Sequence, residues 1–100
     1  MNRQEIIEAI RSHRPALAAM GVAHLSLFGS AARDALKPTS DVDVIVDTED
    51  GEAFGLFRLF DISEKLQSLL NRKIEVYSQA GINNAPDFQS RIQPDLVNVF

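Results

Sequence analysis

The chain has 100 residues, 45% hydrophobic and 24% charged, which fits one small domain over residues 1–100. It contains no cysteine, which excludes disulfides, a thiolate zinc site and a cysteine nucleophile. Ten basic and fourteen acidic residues give a formal net charge of -4, which disfavours binding of nucleic acid through overall charge. No apolar run is long enough to cross a membrane, so we expect a soluble, cytoplasmic protein.

The N-terminal part changes from a helical to a strand pattern. Isoleucines at helical spacing predict a helix over residues 3–12. A second short helix is predicted from Pro15 to Met20, ending at Gly21, because proline suits the first helical turn and glycine suits the end. The period then becomes two, which predicts a strand over residues 24–28.

That strand stops at Gly29-Ser30, and the helix-prone residues 31–33 follow. After a loop over residues 37–40, valines at alternate positions predict a second strand over residues 41–46. Side chains alternate between the two faces of a strand. One face therefore carries Val42, Val44 and Val46, and the other carries Asp41, Asp43 and Ile45.

The next part of the chain predicts an acidic turn over residues 47–52 and the main amphipathic helix over residues 55–70. Asn71 suits a left-handed cap at the end of this helix. Residues 73–77 predict a third strand, with Glu75 on the face opposite Ile74 and Val76.

The C-terminal part predicts a loop over residues 81–85 and a short helix over residues 86–92. Residues 96–100 fit either a short strand or a final turn. Together these elements predict an α/β (α+β) domain, a small mixed β-sheet with helices packed mainly on one face.

The main helix is more apolar than one buried stripe requires. The excess comes from five side chains: Leu56, Phe57, Leu59, Phe60 and Ile62. We expect them to form a wider core face, with a partner surface or a homo-oligomer surface as the alternative.

Two carboxylates on one strand face carry the chemistry. Asp41 and Asp43 lie two residues apart, roughly 7 Å along the strand, and they repel each other. Divalent cations with a preference for oxygen ligands, magnesium above all, would relieve this repulsion. Glu75 has the parity to join them from a neighbouring strand, and three carboxylates could hold two metal ions.

A phosphate cradle is predicted beside these carboxylates. A strand that ends in glycine and enters a helix presents backbone N–H groups to a phosphate, and the Ser30 hydroxyl adds a donor. Arg33, one helical turn after Gly29, could reach the same phosphates. Metals facing a triphosphate imply in-line attack on a phosphoryl group.

Each of these residues also has a structural interpretation. The two aspartates could be solvated on an open sheet face, and Glu75 could be an ordinary exposed residue beside Lys73. Ser30 could cap the short helix that follows it. Arg33 could instead form a surface ion pair with a neighbouring aspartate, either Asp34 or Asp41.

Three segments resemble the minimal nucleotidyltransferases of the DNA polymerase beta-like superfamily: residues 27–33 (LFGSAAR), 40–46 (SDVDVIV) and 72–76 (RKIEV). The resemblance implies a two-metal magnesium site at Asp41, Asp43 and Glu75. It also implies triphosphate binding at Gly29, Ser30 and Arg33, with nucleoside monophosphate transfer from ATP.

Family members of this size resemble antitoxins paired with a HEPN-domain ribonuclease toxin, and some attach AMP to a tyrosine of that partner. The resemblance therefore implies a protein adenylyltransferase, with an antitoxin that only occludes its toxin as the alternative. A small-molecule or RNA-end acceptor is a third possibility, and the acidic charge disfavours RNA. The sequence departs from the family at Glu75, where aspartate is common, and at Asp34, where glycine is usual.

Overall fold

The computed structural model describes residues 1–49 and 55–100. Its helices are α1 (Arg3–Ser12), α2 (Arg14–Ala19), α3 (Gly29–Ala32), α4 (Leu56–Leu70), α5 (Gln79–Asn83), α6 (Pro86–Ile92) and a 3-10 helix (Gln93–Asp95). Its strands are β1 (Val22–Phe28), β2 (Val42–Thr48), β3 (Ile74–Ser78) and β4 (Val97–Asn98).

Local interactions fix where the long helices begin and end. The Asn2 side chain accepts a hydrogen bond from the Glu5 N–H, and the Glu5 carboxylate accepts one from the Asn2 N–H. This reciprocal capping box satisfies two donors that α1 cannot use internally. Asn71 ends α4 in the left-handed conformation, with φ of 51°, as the sequence predicts.

The four strands form one mixed sheet in the order β3-β2-β1-β4. β1 runs antiparallel to β2 and β4, whereas β2 and β3 are parallel and are connected through α4. A parallel pair requires such a crossover connection. The register places Asp43 opposite Phe28 on one side and opposite Glu75 on the other.

The sheet buries its two faces unequally. The main core packs α1, α2 and α4 against the valine face of β2, and its fully buried members include Ile6, Ile10, Leu17, Val44, Ile62 and Leu66. A smaller cluster on the opposite face joins Phe28 and Ile45 to Ile82 of α5 and Ile92 of α6. This mixed α+β architecture confirms the predicted fold class.

Two local predictions need correction. Residues 81–85 are not all loop, because α5 covers residues 79–83, and the Ser78 hydroxyl accepts the Gly81 N–H at its start. β2 continues to Thr48, which is buried, so the predicted acidic turn begins later than residue 47. The part of that turn over residues 50–52 lies outside the described residues.

The wider core predicted for α4 is wrong for three side chains. Ile62 is buried and Leu59 packs against the main core. Leu56, Phe57 and Phe60 are 80%, 87% and 61% exposed. These three side chains therefore form an exposed apolar surface on the first half of α4, and the alternative of a partner or homo-oligomer surface stays a prediction. No helix in the described ranges is long and apolar enough to cross a membrane.

We predict that Leu66→Ala lowers the free energy of unfolding by about 3 kcal/mol, because it leaves a cavity in the main core. Urea denaturation measures the change. Phe57→Ser serves as the control and should alter stability by less than about 0.5 kcal/mol, since the Phe57 side chain is exposed. Equal effects of the two substitutions would contradict this core.

Candidate active site

Two features favour glycine at position 29. Gly29 has a φ of 69°, in the left-handed region that other residues adopt at a cost. A Cβ atom built there would lie 2.7 Å from Oδ2 of Asp43. The missing side chain therefore lets the turn after β1 close directly over the carboxylate at the start of β2.

The backbone turns into α3 at this point. The helix spans only Gly29–Ala32, and its N-cap residue, Phe28, supplies no side-chain acceptor. The first N–H groups of a helix have no intrahelical acceptor. Ser30 lies inside α3 and is half-buried, so the interpretation of Ser30 as the N-cap is wrong.

Asp43 and Glu75 are brought together by the parallel register of β2 and β3. Asp43 is half-buried and is paired in register with Glu75, so the two carboxylates lie side by side on one face of the sheet. Burial, followed by the negative charges of Glu75 and Asp41, raises the pKa of Asp43 from 3.8 to about 6, while Arg33 acts in the opposite direction. A cation would relieve this repulsion.

Asp41 lies immediately before β2 on the same side of the sheet, and its carboxylate is 3.8 Å from the Lys73 ammonium. Within residues 1–49 and 55–100, no three His, Cys, Asp or Glu side chains are already gathered as a metal site. The oxygen donors nevertheless fit magnesium in type, and Asp43 bears the repulsion that a cation would offset. To bind a metal ion, the Asp41 carboxylate would have to give up its ion pair with Lys73.

Arg33 makes an ion pair that the sequence did not indicate. Its guanidinium donates to the Asp95 carboxylate at 2.9 Å, and not to Asp34 or Asp41 as the structural interpretation proposed. Asp95 lies 62 residues further along, and no local spacing links the two. The positive charge of Arg33 nevertheless lowers the pKa of Asp43, so Arg33 interacts electrostatically with the site.

Asp34 adopts the backbone conformation that glycine would provide at this position. Its φ is 58°, in the left-handed region, which aspartate tolerates better than most residues. Its Oδ1 atom accepts a hydrogen bond of 2.8 Å from the Arg3 N–H, at the start of α1. The carboxylate therefore stabilises the N-terminus of α1, where a negative charge is favourable.

Tyr77 is a site residue that the sequence reasoning missed. Its hydroxyl donates to Glu75 Oε2 at 3.2 Å, and burial and then Glu75 raise its pKa. The ring packs against Phe28 and Phe88, with centroids 5.3 and 5.7 Å away. The available signal was its spacing of two from Glu75 on a strand, which places both side chains on one face.

A strand ending in glycine, a short helix and paired carboxylates on the next two strands are together typical of nucleotidyltransferases. The family model described as "Nucleotidyltransferase domain" matches residues 3–98. The chain therefore belongs to this family and is a nucleotidyltransferase.

Curated relatives agree with this assignment. The chain is 32% identical over 96 residues to "Putative protein adenylyltransferase MJ1217" of Methanocaldococcus jannaschii, covering 95% of each chain. It is 29% identical over 82 residues to "Protein adenylyltransferase MntA" of Thermococcus cleftensis, covering 81% of each.

Solved structures share the fold. A structure described as "Structure of putative minimal nucleotidyltransferase" superposes with a TM-score of 0.71 at 26% identity, covering 97% of this chain and 95% of that one. A toxin-antitoxin crystallised with AMP-PNP gives a TM-score of 0.54 at 23% identity. That match covers 78% of this chain and 57% of the other and supports the fold alone.

We predict that Asp43→Asn stabilises the metal-free domain at pH 7 by about 1 kcal/mol, allowing for solvent screening of this half-buried group. The folded pKa lies above the unfolded one, so the folded state binds the proton more tightly, and wild-type stability rises as the pH falls from about 7 to 4. Urea denaturation in EDTA at several pH values measures both effects. Asp61→Asn, an exposed change on α4, is the control, and a destabilised Asp43→Asn protein would refute the prediction.

Proposed function

We propose that this domain is a magnesium-dependent protein adenylyltransferase that transfers AMP from ATP to a protein hydroxyl and so acts as an antitoxin. The observation that carries the proposal is the pairing of Asp43 with Glu75 in the β2–β3 register, with the Asp43 carboxylate directly beside Gly29 at the start of α3. The relatives named as protein adenylyltransferases support AMP as the transferred group.

Each site residue has a role in the proposed reaction. Asp41, Asp43 and Glu75 would hold two magnesium ions, which supply charge stabilisation at the phosphates when bound. Gly29 and Ser30 would seat the triphosphate through backbone N–H groups and the serine hydroxyl.

The transfer itself is a substitution at the α-phosphorus. The acceptor oxygen bonds to this phosphorus, the bond to the β-phosphate oxygen breaks, and pyrophosphate leaves. Glu75 is exposed and lies at the sheet edge, where it can accept the proton of the acceptor hydroxyl. Its hydrogen bond from Tyr77 orients the carboxylate for that role.

The acceptor that we propose is a tyrosine of a HEPN-domain ribonuclease toxin. One relative is named MntA, and a solved toxin-antitoxin pair is described as MntA-HpeT, so this shared name supports an antitoxin role. The net charge of -4 disfavours an RNA acceptor. A cytoplasmic location would supply the ATP.

An antitoxin that acts by binding alone is the second candidate. The observation in its favour is that charged side chains of the site already have protein partners. Lys73 lies beside Asp41, Asp95 pairs with Arg33, and the Tyr77 hydroxyl bonds to Glu75. Such a site could keep the fold and the toxin-binding surface without transferring a nucleotide.

The deciding experiment is the intact mass of the HEPN partner after incubation with this chain and magnesium-ATP. We expect a gain of one or more AMP units with the wild type and none with the Asp41→Asn, Asp43→Asn double variant. The Asp61→Asn protein is the matched acidic control and should transfer as the wild type does. No mass gain, with toxin ribonuclease activity still suppressed by both proteins, would establish occlusion instead.

We further predict that Asp95→Ala tightens ATP binding severalfold, because it frees the Arg33 fork for phosphate oxygens. Arg33→Ala should weaken ATP binding about tenfold. Calorimetric titration with the magnesium complex of a non-hydrolysable ATP analogue measures both. Weaker binding by the Asp95→Ala protein would show that the ion pair itself, rather than a free Arg33, shapes the phosphate site.

A further inference from the structure

β3 forms an edge of the sheet, and part of its backbone is open. The Val42 N–H donates to the Lys73 carbonyl, so alternation turns the backbone groups of Ile74, Val76 and Ser78 away from β2. Of these groups, the Ile74 carbonyl accepts a hydrogen bond of 3.4 Å from the Ser63 hydroxyl of α4. Within the described ranges, no side chain makes such a hydrogen bond to the N–H or carbonyl of Val76.

An apolar groove of about 390 Å³ runs along this open edge. We call it the edge groove, and its main lining residues are Leu59, Val76, Tyr77, Ile82, Ala85 and Phe88. It passes from α4 on one side of β3 to α5 and α6 on the other. A backbone donor and acceptor beside apolar walls are what an extended peptide needs in order to add to a sheet.

α4 extends the apolar surface of this groove. Ser63 marks the helix face that lies over β3, because its hydroxyl bonds to the Ile74 carbonyl. Leu56 and Phe60 precede Ser63 by seven and three residues and so share its face, and both are exposed. Phe57 lies further around the helix.

The edge groove leads directly to the carboxylates. Tyr77 lines the groove and donates its hydroxyl to Glu75. A strand added to β3 would lie roughly 4.8 Å away, and the side chain opposite Glu75 would share its face. In the added strand, the side chains before and after the residue opposite Glu75 would point to the α4 side of the sheet, toward Leu59.

Charge distinguishes the possible occupants. The main lining residues of the groove are all uncharged. At its mouth, the end at Tyr77, the Tyr77 hydroxyl is bonded to Glu75, which pairs in register with Asp43. A phosphate backbone would be repelled there, whereas a neutral or basic peptide would not.

We propose that the edge groove binds an extended segment of the acceptor protein as an added strand on β3. The residue that carries the acceptor hydroxyl lies opposite Glu75, and its apolar neighbours pack toward α4. This inference rests on the proposed function, because it assigns the groove to the acceptor of that reaction.

The test uses the ¹⁵N-labelled full chain and the peptide acetyl-KVYVK-amide, whose lysines match the acidic mouth. Its partner, acetyl-KSYSK-amide, keeps the tyrosine and removes the apolar neighbours. We expect amide shifts centred on Val76, and slower hydrogen exchange at its N–H, with the valine peptide only. Phe60→Ser, and Ala85→Phe which fills the groove, should weaken binding about tenfold.

Phe57→Ser is the matched control on α4 and should leave the affinity within about twofold. Equal binding of the two peptides, shifts away from β3, or no binding would overturn the proposal. Shifts at β3 on dilution without peptide would assign the edge to a second copy and overturn it too. Magnesium-ATP titrated into the same sample reports separately on Gly29 and Ser30, so failure of the nucleotide site is distinguishable from failure of the groove.

Discussion

The close approach of Gly29 to the Asp43 carboxylate is the constraint on which the site depends. The pairing of Phe28 with Asp43 fixes the position of β1 along β2. Because Gly29 has no Cβ atom, the chain can turn directly over the Asp43 carboxylate. The same turn starts α3, whose first N–H groups are free of internal acceptors. One backbone feature thus places backbone N–H groups beside the carboxylate oxygens of Asp43.

The clustered carboxylates around Asp43 destabilise the fold, and the buried valine face of β2 offsets this cost. Asp43 has a raised pKa because it is partly buried beside Glu75 and Asp41, which is unfavourable when the group is ionised. Val42, Val44 and Val46 on the other face are almost fully buried in the main core. The alternation of β2 therefore separates a stabilising face from the face that carries the candidate site.

The alternation of residues along each strand predicted which side chains share a sheet face. It did not predict contacts between residues that are distant in the sequence. The placement of Asp43 and Glu75 on one sheet face follows from spacing, and the register that joins them confirms that parity. The Arg33–Asp95 ion pair and the hydrogen bond from the Arg3 N–H to the Asp34 carboxylate join residues 62 and 31 positions apart, and no periodic pattern encodes them. The loop predicted over residues 81–85 overlaps α5, because the Ser78 side chain caps a helical turn there.

The charged groups of the candidate site are held by protein partners of different strength. Lys73 and Asp95 are exposed or half-buried and hold Asp41 and Arg33 through ion pairs near the surface, which contribute little stability. Replacing such a pair by a metal or a phosphate costs less than breaking a buried one. The Tyr77 hydroxyl differs, because its ring is fixed between Phe28 and Phe88. The packed ring holds the hydroxyl beside Glu75, so the orientation of that carboxylate is more firmly fixed than the two surface ion pairs.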